Sequence, residues 1–244
     1  MGKEKAKIGI IGGMSDKSTQ DYYQRLNQQV NTVLGGLTTP NLIIYSVDFG
    51  EITELMASNN WDALAIKMTE IAKTLENAGA NYIAIATNTM HKVADYVQSQ
   101  IGIPLIHIAD CVADSCLSKG ITNVGLIGTK ITMTEDFLKE RLKQNGLSVC
   151  TPYSENTINE INRIIFDELC KGILKEESKQ YLIKVIYEMV QKQRIDGIIF
   201  GCTEIGEIIK QSDLNIPVFD TTQTHVDGIV RKYLEKDLCL TKKG

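Results

Sequence analysis

The sequence lacks the features that mark membrane proteins, nucleic-acid-binding proteins and disulfide-rich secreted proteins. No apolar run approaches the roughly 20 residues that a membrane span needs. The formal net charge is −4 and the basic residues are scattered, so no basic surface for nucleic acid or an anionic membrane is predicted. The first residues lead directly into an apolar segment at Lys7, without the core of a signal peptide, and we therefore expect a cytoplasmic protein.

Metal-site and disulfide spacing is also missing, although the chain has six cysteines and three histidines. Two cysteines are five residues apart and the others are isolated; they are Cys111, Cys116, Cys150, Cys170, Cys202 and Cys239. The histidines are dispersed and form no pair at helical spacing; they are His91, His107 and His225. We expect reduced, mostly buried thiols and no metal ion.

What the sequence does contain is an alternation of short β-branched runs with longer amphipathic stretches. The predicted strands are Lys7–Ile11, Leu42–Val47, Tyr82–Ala86, Pro104–His107, Asn123–Ile127, Ser148–Thr151, Gly197–Phe200 and Pro217–Phe219. The predicted helices are Gln20–Leu34, Trp61–Asn77, Glu135–Gln144, Thr157–Lys171 and Lys179–Gln193. We expect helices to end at Gly79, Gly120 and Gly146, and one to start at Thr134. This alternation predicts an α/β protein with parallel sheets flanked by helices.

The pattern occurs twice along the chain. The segment Ile8–Gly12 resembles Val124–Gly128, 116 residues later, and Ile83–Thr87 resembles Ile198–Cys202, 115 residues later. Chance similarity is the alternative, because buried strands rich in Val and Ile look alike in many proteins. Since the turns after the strands also match, we favour a duplicated α/β unit.

The duplication predicts two pseudosymmetric lobes. The first would comprise residues 1–110, joined by a C-terminal helix at 221–244, and the second residues 111–220. Ligands of parallel α/β sheets bind beyond the carboxyl ends of the strands, so we expect the active site in the cleft between the lobes.

Two strand-to-helix corners occupy matching positions in the repeat, and only one of them carries a thiol. The first is Ala86-Thr87-Asn88-Thr89 and the second is Gly201-Cys202-Thr203-Glu204. Because Cys202 would lie where a helix begins, the field of that helix end is expected to lower the pKa of its thiol. The alternative is an inert buried thiol, as cysteines after apolar strands often are.

A glycine-containing corner, Gly12-Gly13-Met14-Ser15, follows the first predicted strand. It lacks the Gly-x-Gly-x-x-Gly spacing of dinucleotide-binding proteins, so we expect no nicotinamide or flavin cofactor. The backbone N–H groups at a helix start near Ser15 could still hold a carboxylate. A tight turn that needs a positive φ is the alternative, and the two interpretations are compatible.

These motifs, together with Leu126-Ile127-Gly128-Thr129, resemble those of the aspartate/glutamate racemase superfamily over essentially the whole chain. The segment from Thr87 to Asp95 is most similar to an enterobacterial subgroup specific for L-aspartate and L-glutamate. The resemblance implies two pseudosymmetric α/β lobes, a small-molecule amino-acid substrate and a homodimer. It also implies that the reaction needs no pyridoxal phosphate, no other cofactor and no metal.

In that family, two cysteines on opposite faces of the substrate exchange the α-proton. The resemblance assigns the second cysteine to Cys202, which would remove the α-proton of L-aspartate or L-glutamate. Thr87 stands at the position of the first cysteine and would return a proton to the other face, directly or through water. Since a threonine hydroxyl is a far weaker base than a thiol, we expect conversion of L to D to be faster than the reverse.

The resemblance also assigns residues that contact the substrate. The positions that bind the α-carboxylate correspond to Met14, Asn88, Thr89 and Thr203, and supporting positions correspond to Ser15, Thr129 and Glu204. Asn and Thr are also favoured helix caps, and Glu204 could either position Cys202 or the substrate amine, or lie near a helix start as acids often do.

Recognition of the substrate side chain departs from the family pattern. Archaeal aspartate racemases use an arginine and a lysine for the side-chain carboxylate. Alignment places Thr53 and Cys170 at these positions, with Lys171 one residue further along. Loss of the paired cations would fit a site that accepts glutamate as well as aspartate, whereas a solvated Lys171 at a helix end is the simpler interpretation of that residue.

Two other functions stay open at this point. An arylmalonate-type decarboxylase of the same superfamily also keeps only the second-lobe cysteine, but it uses a hydrophobic pocket, whereas Thr87-Asn88-Thr89 is polar. The other alternative is a catalytically inactive protein that binds an amino acid in the same cleft.

Overall fold

The computed structural model describes residues 5–242, and the side chains beyond residue 236 lie outside that description. The chain termini at 1–4 and 243–244, which the predicted first lobe includes, and the predicted thiol of Cys239 therefore fall outside the described residues. The chain forms two compact units. One runs to Ile108 and resumes at His225, and the other comprises Ala109–Thr224.

The first unit contains a parallel sheet with the strand order β2-β1-β3. Its strands are β1 (Lys7–Gly12), β2 (Asn41–Ser46) and β3 (Tyr82–Ile85). Its helices are α1 (Asp16–Leu34), α2 (Phe49–Ala57), α3 (Trp61–Asn77) and α4 (Ala94–Gln100), and a 3-10 helix, Thr89–Val93, precedes α4.

The second unit contains a parallel sheet with the strand order β5-β4-β6-β7. Its strands are β4 (Asn123–Gly128), β5 (Ser148–Cys150), β6 (Gly197–Gly201) and β7 (Val218–Asp220). Its α-helices are α5 (Ile108–Ser118), which begins at the unit boundary, α6 (Lys130–Thr134), α7 (Asp136–Gln144), α8 (Glu155–Arg163), α9 (Glu176–Gln193) and α10 (Ile205–Ile208). Shorter turns are a π-helix at Ile164–Glu168 and 3-10 helices at Leu169–Lys171 and Gln211–Asp213. The final helix, α11 (Thr221–Lys242), carries the chain back to the first unit.

Helices pack on both faces of the first sheet, because successive strand residues point to opposite sides. Ile8 and Ile10 lie in a buried core with Tyr22 of α1 and Val226 of α11. Ile11 points the other way, into a second core that contains residues of α2, α3 and α4. The predicted α/β class, with helices flanking parallel sheets, is therefore confirmed.

Strand pairing in the two sheets follows the repeat that the sequence suggests. Ile8 pairs with Tyr82 in the first sheet, and Val124 pairs with Gly197 in the second. These partners are related by the same offsets of 116 and 115 residues that relate the sequence motifs. Because registers agree as well as strand order, the duplicated α/β unit is a better explanation than chance similarity among apolar strands.

Several predicted boundaries differ from the structure. Pro104–His107 forms a single parallel bridge, between Leu105 and Ile83, instead of a full strand. The predicted helix Thr157–Lys171 changes from α-helical to π and then 3-10 geometry. Thr134 ends α6, and α7 begins two residues later. Gly79, Gly120 and Gly146 have positive φ angles just beyond α3, α5 and α7, as predicted. No helix among the described residues is long and apolar enough to span a membrane.

Candidate active site

The corner after β1 is shaped by a glycine and a helix cap. Gly13 has a φ of +90°, and a Cβ atom there would lie 2.4 Å from the Val47 carbonyl oxygen, so this turn requires glycine. The Gly13 amide donates to Thr19 Oγ1 at 2.8 Å. Ser15 caps α1, its Oγ accepting from the Ser18 amide at 3.4 Å, and Met14 is buried. The predicted tight turn and helix start are therefore both present at this corner.

The corner after β3 presents two threonines at a partly exposed surface. Thr87 and Thr89 are half-buried, whereas Asn88 between them is buried. The preceding residue is held on both sides, because the Ala86 amide donates to Ile11 O at 2.9 Å and its carbonyl accepts from Ser18 Oγ at 2.8 Å. The corner therefore offers two hydroxyl groups from a firmly anchored backbone.

His91 connects this corner to the start of α5. Its Nδ1 lies 2.8 Å from the Thr87 carbonyl oxygen, and its Nε2 accepts from the Ile108 amide at 3.2 Å. Burial lowers the pKa of His91 well below its usual value, and the neighbouring His107 and His225 lower it further. The imidazole ring of His91 is therefore neutral in this site.

The three histidines lie together in the first unit, although they are dispersed in the sequence. The ring centroids of His91 and His107 are 4.6 Å apart, and those of His91 and His225 are 5.7 Å apart. Their proximity was not predicted, because spacing along a chain does not measure distance in space. Among the described residues, no group of three or more His, Cys, Asp or Glu side chains has an arrangement that could hold a metal ion.

The corner after β6 places a thiol against a carboxylate. The Cys202 Sγ donates to Glu204 Oε2 at 2.8 Å, and the Thr203 hydroxyl donates to the same oxygen at 2.6 Å. Glu204 is buried, whereas Cys202 and Thr203 are half-buried. Glu204 lies at the start of α10, as acids often do, but its side chain makes no capping bond there and contacts Cys202 instead.

The expected lowering of the Cys202 pKa is wrong. Burial raises the pKa of the Cys202 thiol well above its usual value, and the charge of Glu204 raises it further. The helix that was expected to oppose this effect, α10, is only four residues long. Because the carboxylate is adjacent to the thiol, the protonated form of Cys202 dominates near neutral pH.

Thr129 and the candidates for side-chain recognition have other contacts. Thr129 is half-buried and caps α6, accepting from the Thr132 amide at 3.4 Å. Thr53 is exposed and its hydroxyl donates to Gly50 O within the same helical region. Lys171 is exposed and pairs with Asp167 at 3.5 Å. Cys170 is exposed, and the short Leu169–Lys171 helix that carries it contacts α10, so this segment adjoins the thiol corner.

Sequence reasoning missed a buried carboxylate in the same segment. Glu168 ends the π-helix and accepts from Ser178 Oγ at 2.5 Å, Arg163 Nη1 at 2.8 Å and Lys175 Nζ at 3.3 Å. These donors lower the pKa of Glu168 to about 2. The available signal was a pair of acids, Asp167 and Glu168, within the otherwise apolar segment Ile164–Leu169. Its contacts fix the turn that carries Cys170 and Lys171.

Comparison with known proteins shows which protein family has this arrangement. The model of the Asp/Glu/hydantoin racemase family matches residues 11–229. The chain belongs to this family. The resemblance drawn from the motifs is confirmed, and the protein is accordingly an isomerase of the racemase type.

Relatives of this racemase match it over nearly the full length. The broad-specificity amino-acid racemase RacX of Bacillus subtilis (strain 168) is 25% identical over 93% of this chain and 98% of its own. A structure of a candidate Asp/Glu racemase from Yersinia pestis is 43% identical, with a TM-score of 0.90, covering 94% of this chain and 99% of that one. An aspartate racemase homologue from Pyrococcus horikoshii OT3 is 39% identical, with a TM-score of 0.83, covering 95% and 98%. The two-lobed α/β fold is shared with these structures.

Proposed function

We propose that this racemase converts L-aspartate, L-glutamate or both into the D-enantiomers without a cofactor. The observation that carries the proposal is the contact between the Cys202 thiol and the Glu204 carboxylate at 2.8 Å, in a corner that the repeat pairs with Thr87. The names of the relatives support it, because they describe an Asp/Glu racemase, an aspartate racemase homologue and a broad-specificity amino-acid racemase.

In the proposed reaction, Glu204 first accepts the proton of the Cys202 thiol. The resulting thiolate removes the α-proton of the L-amino acid and becomes a thiol again, leaving a planar carbanion. The Thr87 hydroxyl, directly or through water, gives a proton to the opposite face. The alkoxide or hydroxide left behind takes a proton from solvent, and Glu204 releases its proton to solvent, which restores the carboxylate. A thiol whose pKa is raised forms little thiolate, but that thiolate is a stronger base towards a weakly acidic C–H bond.

The two directions of this reaction are unequal in the proposal. Thr87 must act as the base when D-amino acid is the substrate, and a hydroxyl is poorly suited to that role. Because enantiomers have equal free energies in water, the equilibrium constant is one and kcat/KM is equal in both directions. The asymmetry therefore appears in kcat, with a matching difference in KM. Equal rates of solvent deuterium incorporation from saturating D- and L-substrate would contradict it.

The substrate α-carboxylate is assigned to the polar groups of the corners. Thr89 and Thr203 are half-buried, and the loop at Met14 and the amide of Asn88 complete the proposed set. The Thr203 hydroxyl, which donates to Glu204 in the structure, would turn to the substrate once Glu204 has accepted the thiol proton. Hydrogen bonds from such groups would stabilise the negative charge that develops as the α-proton leaves. Ser15 and Thr129 act in this proposal through the helix caps that shape their corners.

The side-chain carboxylate of the substrate is assigned to the segment that carries Cys170 and Lys171. Lys171 is the cation of this segment nearest to the aligned position, and its partner Asp167 is 3.5 Å away at an exposed site. A surface ion pair of this kind contributes little to stability, so Lys171 can exchange Asp167 for a substrate carboxylate at small cost. One flexible cation in place of two fixed ones fits a site that accepts both aspartate and glutamate.

We also propose a homodimer and a cytoplasmic location. The strand β2 is an edge strand with exposed apolar side chains, since Ile44 is 38% and Tyr45 41% exposed. Exposed apolar edges commonly pair with another chain. Sedimentation analysis of Tyr45→Lys, with Leu117→Lys as an equally exposed control, tests this surface. The five described cysteines are free thiols, which fits a reducing compartment.

A specific observation favours a second candidate function. The raised pKa of Cys202 keeps its thiol protonated, which suits an acid that protonates an enolate after a decarboxylation. The polar residues of the Thr87 corner oppose this candidate, because expulsion of a carboxylate benefits from an apolar pocket.

The deciding experiment is proton NMR of the purified protein in heavy water with L-aspartate and then L-glutamate. Loss of the α-proton together with D-product, abolished in Cys202→Ser, is the expected result. No exchange with either amino acid, but release of carbon dioxide from an arylmalonate, would instead support the decarboxylase. Tight binding of aspartate without exchange would identify a catalytically inactive binding protein.

A further inference from the structure

The backbone on both sides of Thr87 is held by side chains from elsewhere in the first unit. Before it, the Ala86 carbonyl accepts from Ser18 Oγ of α1 at 2.8 Å. After it, the Thr87 carbonyl lies 2.8 Å from His91 Nδ1. The two peptide planes that flank the Thr87 Cα are therefore both anchored.

The tautomer of His91 follows from its partners. A carbonyl oxygen only accepts, so the Nδ1 that faces Thr87 O must carry the hydrogen. A backbone amide only donates, so the Nε2 that faces the Ile108 amide at 3.2 Å must be the bare nitrogen. His91 is thus a neutral ring with one donor and one acceptor, and both are in use.

The surrounding cluster holds this ring in place. His91 is 3% exposed and packs edge-on against His107 and His225. His225 in turn lies 2.7 Å from the Tyr22 hydroxyl and 2.8 Å from the Ile106 carbonyl oxygen. The other titratable groups that face His91 are therefore His107 and His225, with Tyr22 behind them.

The cluster also lies at the points where the chain leaves and re-enters the first unit. His91 binds the amide of Ile108, the last residue before the chain leaves, and His225 is the first residue on its return. One buried network of side chains therefore connects the Thr87 corner with the last residue before the chain leaves the first unit and with the first residue on its return.

We propose that His91 is a positioning residue for Thr87, which it holds in the geometry needed to exchange a proton with the substrate. The inference rests on the proposed function. Threonine is β-branched and has few χ1 rotamers, so fixing its backbone also restricts the direction of its hydroxyl. A misplacement of about 1 Å in a catalytic group can lower a rate by about 100-fold. His91 does not touch the substrate in this proposal and acts only through Thr87.

Two amide variants separate the two bonds of His91. His91→Asn keeps a donor near the Nδ1 position and loses the acceptor for Ile108. His91→Gln places its amide near the Nε2 position, keeping an acceptor for Ile108 and losing the donor to Thr87. Tyr22→Phe is the matched control, because it removes a hydrogen bond of the same buried cluster without a contact to Thr87.

The measurement is the rate of α-proton exchange in heavy water, determined separately for the D-amino acid (D-face exchange) and for the L-amino acid (L-face exchange). In His91→Gln, exchange from the D-amino acid should fall about tenfold or more, because it depends on Thr87. Exchange from the L-amino acid, which depends on Cys202, should stay within about twofold, with KM nearly unchanged. His91→Asn and Tyr22→Phe should retain D-face exchange. Equal losses from both faces, or equal losses in His91→Gln and Tyr22→Phe, would overturn the proposal.

Amide hydrogen exchange keeps this test separate from that of the proposed function. If the unmodified protein exchanges no α-proton, the racemase proposal fails. The protection of the backbone amides at 88–91 against hydrogen exchange then tests the positioning role by itself. His91→Gln should lower that protection more than Tyr22→Phe does, and equal protection would contradict the role. Nitrogen-15 NMR of the unmodified protein adds a check that needs no variant to fold. It should show His91 with its hydrogen on Nδ1, and an Nε2–H tautomer would overturn the proposal.

Discussion

The Cys202 sulfur and the Glu204 carboxylate oxygen are 2.8 Å apart, and Thr203 donates a second hydrogen bond to the same oxygen. The carboxylate therefore opposes the helix-end field that usually makes such cysteines acidic. It raises the pKa of the thiol and at the same time offers the nearest acceptor for its proton.

Replacing Glu204 with glutamine should separate these two effects. Without the negative charge, the pKa of the Cys202 thiol should fall, and the pH dependence of alkylation by iodoacetamide measures this change. Racemisation should nevertheless slow by about 100-fold, because the proton acceptor is gone. Glu207→Gln is the control, since Glu207 is an exposed acid on the same short helix. An unchanged alkylation profile in Glu204→Gln would refute this account of the thiol.

Replacing Thr87 with cysteine should reduce the asymmetry between the two directions. A thiol is a much better base than a hydroxyl, so kcat with D-amino acid should rise by about tenfold or more. Thr151→Cys places a thiol at another half-buried threonine outside the proposed site and should give no such rise. Chiral chromatography of the products from both enantiomers measures the effect, and the same gain in both variants would speak against a special role of Thr87.

Acid should destabilise the first unit through its buried histidines. Burial lowers the pKa of His225 from 6.5 to about 4, and the pKa of His91 is lowered as well. Between pH 6.5 and about pH 4, the unfolded chain binds more protons than the folded chain. The contribution of His225 to stability is therefore present above pH 6.5 and is lost as the pH falls towards 4. The free energy of unfolding should drop by about 2 kcal/mol from His225 alone between pH 7 and pH 5.

Urea unfolding at the two pH values measures this drop. His225→Gln should be less stable at pH 7 but should show a smaller dependence on pH, because the titrating group is gone. A variant with the same pH dependence as the original protein would assign the effect to other residues.

Gly13→Ala should destabilise the protein by about 3 kcal/mol or more, because a Cβ would meet the Val47 backbone at 2.4 Å in a left-handed conformation. Gly36→Ala is the matched control, since Gly36 has a φ of +61° but no atom within 4 Å of the added Cβ. It should cost only about 1 kcal/mol. Urea unfolding compares the two, and similar losses would show that steric contact at Gly13 is unimportant.

Much of the fold was predictable because its signals are local. Trp61–Asn77 was predicted with the bounds that the structure has, since its apolar residues recur at helical spacing and its end is marked by Gly79. The duplicated strands were equally clear. The helix α2 was missed because it has only nine residues, which is shorter than the window over which a helical pattern can be recognised.

The site was less predictable, because its electrostatics depend on contacts that spacing does not encode. The repeat singled out Cys202 and Thr87 as candidates, but the predicted direction of the Cys202 pKa shift was wrong. That error arose because the short helix α10 was taken for a full one and the carboxylate of Glu204 was not placed against the sulfur. The cluster of His91, His107 and His225 was missed for a similar reason, since its members are far apart in the sequence.

The π-helix Ile164–Glu168 determines how the chain of this racemase can change in length beside the thiol corner. Each residue of an α-helix advances the chain by about 100° around the axis, and a π turn takes up one residue more than an α turn. Deleting one residue from Ile164–Glu168 would therefore restore regular winding and leave Cys170 and Lys171, which follow the turn, in the same angular positions. The length of this turn can thus change by one residue without moving either side chain.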